Sequence, residues 1–252
     1  MKQFAKFLST LWFAMALTVG AQPIRLHTAA QDGSAPKFIE SDGASTGLCP
    51  DIFQAMEKAD KGLHIDTDPR PTPIKRLEAE LKEGQLDVVC ALLDTAQRND
   101  MAHRISTPLY VLSERLVGRR DDNGVVNHVR DLAQTGDLVV TQSGASYAAD
   151  LRRQGVQVVE TPGGSVVALR NVLSKRARFY YTNELTGTYY IRAEGLGDQL
   201  RLHPGVLQSS PSYLWVSRKV DPAVVRRLEQ VVAQLKRSGE LDRIYQRYQK
   251  DH

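Results

Sequence analysis

Between Gly84 and Asp94 the chain reads Leu86-Asp87-Val88-Val89-Cys90-Ala91-Leu92-Leu93, a run that is apolar at every position but one. A short apolar run of this kind reads as a strand buried on both sides. Such a strand has to be covered by other elements, which restricts the chain to architectures that place helices over a sheet.

The flanking sequence supplies those elements. Ile24-Arg25-Leu26-His27 alternates like a short strand, and turn-rich stretches follow at Gln31 to Pro36 and at Ser41-Asp42-Gly43. Ile52, Phe53, Met56 and Ala59 recur at helical spacing, with Pro50 near the first turn and Gly62 past the end. Pro73 opens a second helix with Ile74, Leu77 and Leu81 on one face, stopped by Gly84. The order strand, helix, helix, strand predicts a parallel sheet with covering helices. After an extended stretch from Val111 to Arg119 and the turn Asp121-Asp122-Asn123-Gly124, a second α/β series begins. It has strands at Leu138–Thr141, Val156–Glu160 and Phe179–Tyr181, a turn Ser143–Ser146 leading into a helix at Tyr147–Arg153, and a helix after Pro162-Gly163-Gly164-Ser165. Tyr213 to Val216 is extended again. Asp221 and Pro222 then start a long helix striped by Val224, Val225, Leu228, Val231, Val232 and Leu235, and a last helix follows Gly239. Two α/β units joined by two extended stretches predict a hinged pair of lobes.

The N-terminus points to export. Lys2 and Lys6 precede an apolar run of 13 residues, Phe7 to Val19, which ends in Val19-Gly20-Ala21. A basic start, a short apolar middle and small residues at the cleavage positions form a secretory signal, and the run is shorter than the roughly 20 residues of a spanning helix. Cleavage after Ala21 leaves Gln22 first, with no Cys to take a lipid, so a soluble periplasmic protein is expected. The formal charge of +4 falls to +2 without the two lysines, and the basic residues are spread out, which argues against a nucleic-acid partner. Two cysteines in an exported chain predict one disulfide, Cys49–Cys90, since one precedes a helix and the other ends a strand. Two cysteines and six scattered histidines give no metal-ligand spacing, so neither metal nor cofactor is expected.

Three segments in order carry a family resemblance: Leu81-Lys82-Glu83-Gly84-Gln85-Leu86-Asp87, Thr95-Ala96-Gln97-Arg98, and Ser106-Thr107-Pro108-Leu109-Tyr110. Together they resemble the periplasmic amino-acid-binding proteins of ABC transporters, solute-binding family 3. In the second half, Val139 to Ser146 and Leu235 to Tyr245 are similar more loosely. The resemblance implies the type II periplasmic-binding fold: lobe 1 at 22–113 plus 209–252, lobe 2 at 114–208, joined by a two-crossover hinge. It implies a monomer that captures a small polar solute, expected to be an amino acid, and delivers it to the membrane permease of an ABC transporter.

It also implies a site. Arg98, in the Thr-x-x-Arg segment, becomes the carboxylate clamp, since a guanidinium offers two parallel donors where Lys offers one point charge. Gly144, Ala145 and Ser146 form a strand-to-helix turn whose unpaired amides can face an anion. An acidic residue after the last strand of lobe 2 would take the ammonium group; here Glu184 is the candidate, with Asn183 the alternative. Where the family often places an aromatic ring, the chain has Ser34-Ala35-Pro36-Lys37-Phe38, so Phe38 is the candidate cover. Arg178 stands where an Asp is usual, and Ala91-Leu92-Leu93-Asp94 lacks the expected small hydroxyl residues.

Rival readings are a hydrolase, a dehydratase and a sensor. Gly43-Ala44-Ser45-Thr46-Gly47 satisfies G-x-S-x-G, but a nucleophile elbow needs a buried strand leading into the serine, and Asp42-Gly43 is a turn signal. Relatives of this fold include cyclohexadienyl dehydratases, for which Glu184 would be the general acid. The closed form could instead signal to a membrane receptor. A binding protein rather than an enzyme is expected.

Overall fold

A computed structural model describes residues 23–250 apart from Asp42. The expected signal segment, residues 1–21, lies outside the described residues. The first part of the chain runs β1 (Ile24–Gln31), β2 (Ile39–Ser41), β3 (Ala44–Thr46), α1 (Leu48–Ala59), β4 (Leu63–Thr72), α2 (Ile74–Glu83), β5 (Val88–Leu93), α3 (Ala96–Met101), β6 (Ala102–Arg104) and β7 (Tyr110–Arg119). There follow α4 (Val129–Thr135), β8 (Leu138–Gln142), α5 (Tyr147–Arg153), β9 (Gln157–Thr161), α6 (Gly164–Leu173), β10 (Phe179–Asn183), α7 (Glu184–Ala193) and β11 (Leu200–Leu202). The chain ends with β12 (Gln208–Ser217), α8 (Pro222–Arg237) and α9 (Glu240–Lys250).

The fold is mixed α/β: two lobes joined by a pair of long strands, the type II periplasmic-binding architecture. The central sheet has the order β5-β12-β7-β10-β8-β9. The two connecting strands pair antiparallel with each other over Tyr110–Glu114 and Gln208–Ser212. Past that segment they diverge, β12 pairing with β5 in one direction and β7 with β10 in the other. One continuous sheet therefore bends from lobe to lobe through two crossing strands.

The apolar clusters divide accordingly. One large cluster joins α1, β5, α8 and α9 through residues such as Ile52, Met56, Leu228, Val232 and Ile244. A second, beneath α2, holds Leu77, Leu81 and Trp215. Two further clusters join Leu116, Leu132, Val139 and Phe179, and Val140, Leu169, Val172 and Tyr180. Full burial of side chains of this size is worth about 1.5–3 kcal/mol each, so each lobe has its own supply of stabilising surface. Asp221 caps α8 by accepting from the Ala223 amide at 2.6 Å, with Pro222 in the first turn. A disulfide ties Cys49 of α1 to Cys90 of β5.

Three sequence expectations need correction. The interval between the first two helices holds a ten-residue strand, β4, which pairs parallel with β1. Pro69 and Pro71 hid it; β4 pairs with β1 alone, and an outer strand tolerates residues that lack an N–H. The sheet is not purely parallel either, because β5 meets β12 antiparallel. Helices α3, α4 and α7 were not foreseen. As for Ser45, it lies inside the short hairpin strand β3 rather than at a strand-to-helix turn, so its G-x-S-x-G surroundings are not a nucleophile elbow.

Candidate functional site

Arg98 is placed by its helix cap. Thr95 has extended backbone angles and its Oγ1 accepts from the Arg98 amide at 3.2 Å, starting α3 directly after β5. The arginine side chain is only 4 % exposed. Its Nε donates to Glu78 Oε1 at 2.8 Å and its Nη1 to the Leu93 carbonyl at 2.7 Å. Burial pushes its pKa down while Glu78 pulls it back up, and a guanidinium stays charged throughout.

Arg98 lines a cavity of about 90 Å³ between the lobes. A water needs roughly 10–15 Å³ of such space, so about six to nine waters, or a solute of comparable size, fit in this state. Across from Arg98 stands Lys37, whose Nζ reaches the Gln31 side-chain oxygen and, at 3.2 Å, the Ala91 carbonyl. Desolvation, then the charge of Arg98, holds the Lys37 pKa down at about 7. Tyr110 and Tyr147 supply aromatic wall. Tyr110 is itself stacked on Tyr245, with ring centroids 4.9 Å apart.

From the second lobe come Ala145, Ser146 and Asn183. Gly144 lies just outside this wall, in the adjoining groove that it shares with Arg98, Ala145 and Ser146; its amide donates to Glu160 Oε2 at 3.0 Å, and Glu160 also holds Arg152 at 3.0 Å. The Ala145 amide is likewise engaged, with the Gln142 carbonyl at 3.1 Å. Asn183 faces the cavity but caps α7, its Oδ1 accepting from the Thr186 amide at 3.0 Å and its Nδ2 donating to Thr186 Oγ1 at 3.1 Å. Glu184 does not reach the cavity. Its Oε1 accepts from the Tyr245 hydroxyl and from Gln249 Nε2 at 3.4 Å. Asn183 is the extended N-cap of α7 and Glu184 its first residue, and of the two only Asn183 faces the cleft. Phe38 is buried in the large core cluster with Leu48 and Phe53 instead of covering the cavity.

Lys37, Tyr110 and Tyr147 were not foreseen as wall residues. Only the position of Lys37 beside the Pro36 loop hinted at its role. Arg178 is engaged elsewhere, binding Asp122 through Nε at 2.7 Å and Nη2 at 2.9 Å, and Asp137 at 2.5 Å. This ion cluster sits at the start of β10, away from the cavity.

The lobes touch across the cleft through the loop after β1. Gln142 Nε2 donates to the Asp32 carbonyl at 3.2 Å, and Ser165 Oγ to the Gly33 carbonyl at 3.3 Å. Gly33 has φ +60°, and a Cβ there would stand 2.9 Å from Gln142 Nε2 and 3.3 Å from Gly164 Cα. Only glycine lets the two lobes approach this closely. At the rear, on the crossing strand β7, Glu114 is buried and accepts from Tyr181 and Ser210 hydroxyls, each at 2.5 Å, and burial raises its pKa.

Comparison with known proteins agrees with this architecture. The sequence model of the bacterial extracellular solute-binding proteins, family 3, matches residues 26–251. No curated protein matches. Among solved structures, a putative binding component of an ABC transporter from Wolinella succinogenes, complexed with lysine, is 21 % identical with a TM-score of 0.75, covering 88 % of this chain and 94 % of that one. An ancestral arginine-binding protein bound to arginine is 18 % identical, TM-score 0.74, covering 89 % and 97 %. The ancestral amino-acid-binding protein AncCDT-1, a precursor of cyclohexadienyl dehydratase, is 18 % identical, TM-score 0.73, covering 89 % and 95 %. At these identities the likeness concerns the fold.

Proposed function

Because this chain belongs to the bacterial extracellular solute-binding proteins, family 3, we propose that it is an exported protein that captures a small carboxylate-bearing solute between its lobes and delivers it to the membrane permease of an ABC transporter. The observation that carries this reading is Arg98, a buried guanidinium on the wall of a cavity to which both lobes contribute. The expectation of an amino acid as the solute joined two parts, a carboxylate on Arg98 and an ammonium on Glu184; the position of Glu184 against Tyr245 leaves the first part standing.

In this reading lobe 1 extends to residue 113 and resumes at 209, and lobe 2 lies between. The apolar clusters support that division: the second-lobe clusters draw only on residues between Leu116 and Leu207, and the large first-lobe cluster takes a single residue from that range that is buried, Leu185. The protein acts as a monomer in the periplasm, its N-terminal signal removed. A solute that contacts Arg98 and the Ser146–Asn183 wall at once binds the closed form better than the open one, and that difference drives closure. A binding role is favoured over dehydration because no Asp or Glu lines the cavity among the described residues. Glu184, the general acid of the rival reading, is held against Tyr245 instead.

The experiment is a thermal-shift panel of small carboxylates on wild type and Arg98→Ala. A solute at 100 times its dissociation constant stabilises the native state by about 2.7 kcal/mol. That shift should vanish in the variant. Equal shifts in both would remove Arg98 from the site.

A further inference from the structure

We infer that the solute is a carboxylate with no ammonium group, such as a hydroxy acid, a keto acid or a dicarboxylate, because the cavity wall carries two basic side chains and no carboxylate for a second, positive end. The inference rests on the reading of Arg98 as the carboxylate clamp and narrows the class of solute that the same site takes.

The charges come first. Two basic side chains, Arg98 and Lys37, line the cavity, and no carboxylate does so among the described residues. Acids begin only in the adjoining outer groove, which meets the cavity at Arg98, Ala145, Ser146 and Tyr147; the one in contact with Arg98 is Glu78, at 2.8 Å. Glu184 is turned away against Tyr245.

The neutral acceptors nearest the two basic groups each already take a donor. Lys37 takes the Gln31 side-chain oxygen and the Ala91 carbonyl. Arg98 takes the Leu93 carbonyl. The oxygen of Asn183 accepts from the Thr186 amide, which fixes the start of α7. An ammonium group entering here would be desolvated beside two basic groups, and burying a charge without a partner is costly. A carboxylate or hydroxyl at the same point meets donors. Asn183, the residue at the start of α7 that faces the cavity, carries no charge.

The test uses pairs of near-isosteres that differ only in the group on the α carbon: malate against aspartate, 2-hydroxyglutarate against glutamate, and lactate against alanine. Each is titrated calorimetrically into the wild-type protein and into Asn183→Asp. Aspartate is as good a helix cap as asparagine, so the variant keeps α7. The expected result is that at least one hydroxy acid binds wild type at least tenfold more tightly than its amino partner, and that Asn183→Asp shrinks or reverses the ratio at least tenfold. Amino acids binding wild type as tightly as the hydroxy acids would overturn the inference while leaving carboxylate capture intact. An unchanged ratio in Asn183→Asp would overturn the role of position 183. If Arg98→Ala binds all these acids as wild type does, the underlying function falls instead.

Discussion

Arg98 Nε lies 2.8 Å from Glu78 Oε1, so the cation that would hold an incoming carboxylate already has one inside the protein. The pair is largely buried, with side-chain exposures of 4 % and 15 %. Glu78 thereby orients the guanidinium and at the same time competes with the solute for it. Glu78→Gln keeps an acceptor for Nε but removes the competing charge. The expected result is tighter binding of carboxylates by up to about tenfold, or roughly 1.4 kcal/mol, read by calorimetry. Weaker binding would mean that orientation matters more than competition.

Lys37 makes binding depend on pH. The groups that face its amine are Arg98 from α3, the Gln31 side-chain oxygen from β1 and the Ala91 carbonyl from β5, with Glu78 behind Arg98 and the Tyr110 hydroxyl, held neutral by burial, also on the cavity wall. With the Lys37 pKa at about 7 in the empty protein, an anion beside it raises that value on binding. Affinity should therefore be full below pH 7 and decline above it, until the bound-state pKa is passed. Calorimetry near pH 7.5 in two buffers of different ionisation enthalpy should register net proton uptake. Lys37→Met should flatten the profile.

The empty protein should show the opposite trend. Lys37 binds its proton less well folded than unfolded, so the unfolded chain holds more protons between pH 7 and about 10.5 and this lysine's contribution to stability rises with pH across that window. The difference between wild type and Lys37→Met in urea midpoints at pH 6.5 and 9 checks the sign.

Arg178 and Asp122 anchor the second lobe. Hydrogen bonds from Arg178, more than any other cause, lower the Asp122 carboxyl to about 2. Stability from this pair is fully present above pH 4 and is lost as pH falls through about 2. Arg178→Met should cost about 2–4 kcal/mol at pH 7, because it leaves Asp122 largely buried without its cation. It should leave solute affinity within about twofold, since the ion cluster lies apart from the cavity.

The Cys49–Cys90 bridge closes a loop of sequence separation 41. Restricting the unfolded chain over that length is worth about 4 kcal/mol by the loop-entropy relation. The double variant Cys49→Ser, Cys90→Ser should lose stability on that order under denaturant, and the wild-type protein should resist alkylation until reduced.

How much of this was legible beforehand depended on whether a signal was local. Asp221-Pro222 and the stripe from Val224 to Leu235 state a capped helix within a dozen residues, and α8 follows them closely. Thr95 to Arg98 was legible only as a turn carried by the resemblance; the cap and the short helix α3 that it starts emerged from the structure. β4 was hidden because its prolines are tolerated only through its outer place, which depends on pairing with a distant strand. Lys37 was missed for a similar reason: the acceptors that hold its amine come from β1 and β5, and no spacing in the sequence reveals them. At Asn183-Glu184 a one-residue ambiguity exchanged a neutral amide for a charge. Only the first turn of α7 and its contact with α9 resolve it.

The role of Arg98 is best decided by a crystal structure of the protein with the tightest-binding acid of the isostere panel. It should show the carboxylate within about 3.2 Å of the Arg98 guanidinium, in the cavity shared with Lys37 and Asn183, and no ammonium in contact with position 183. A solute seated in the outer groove, with Arg98 touching Glu78 and Leu93 alone, would contradict it.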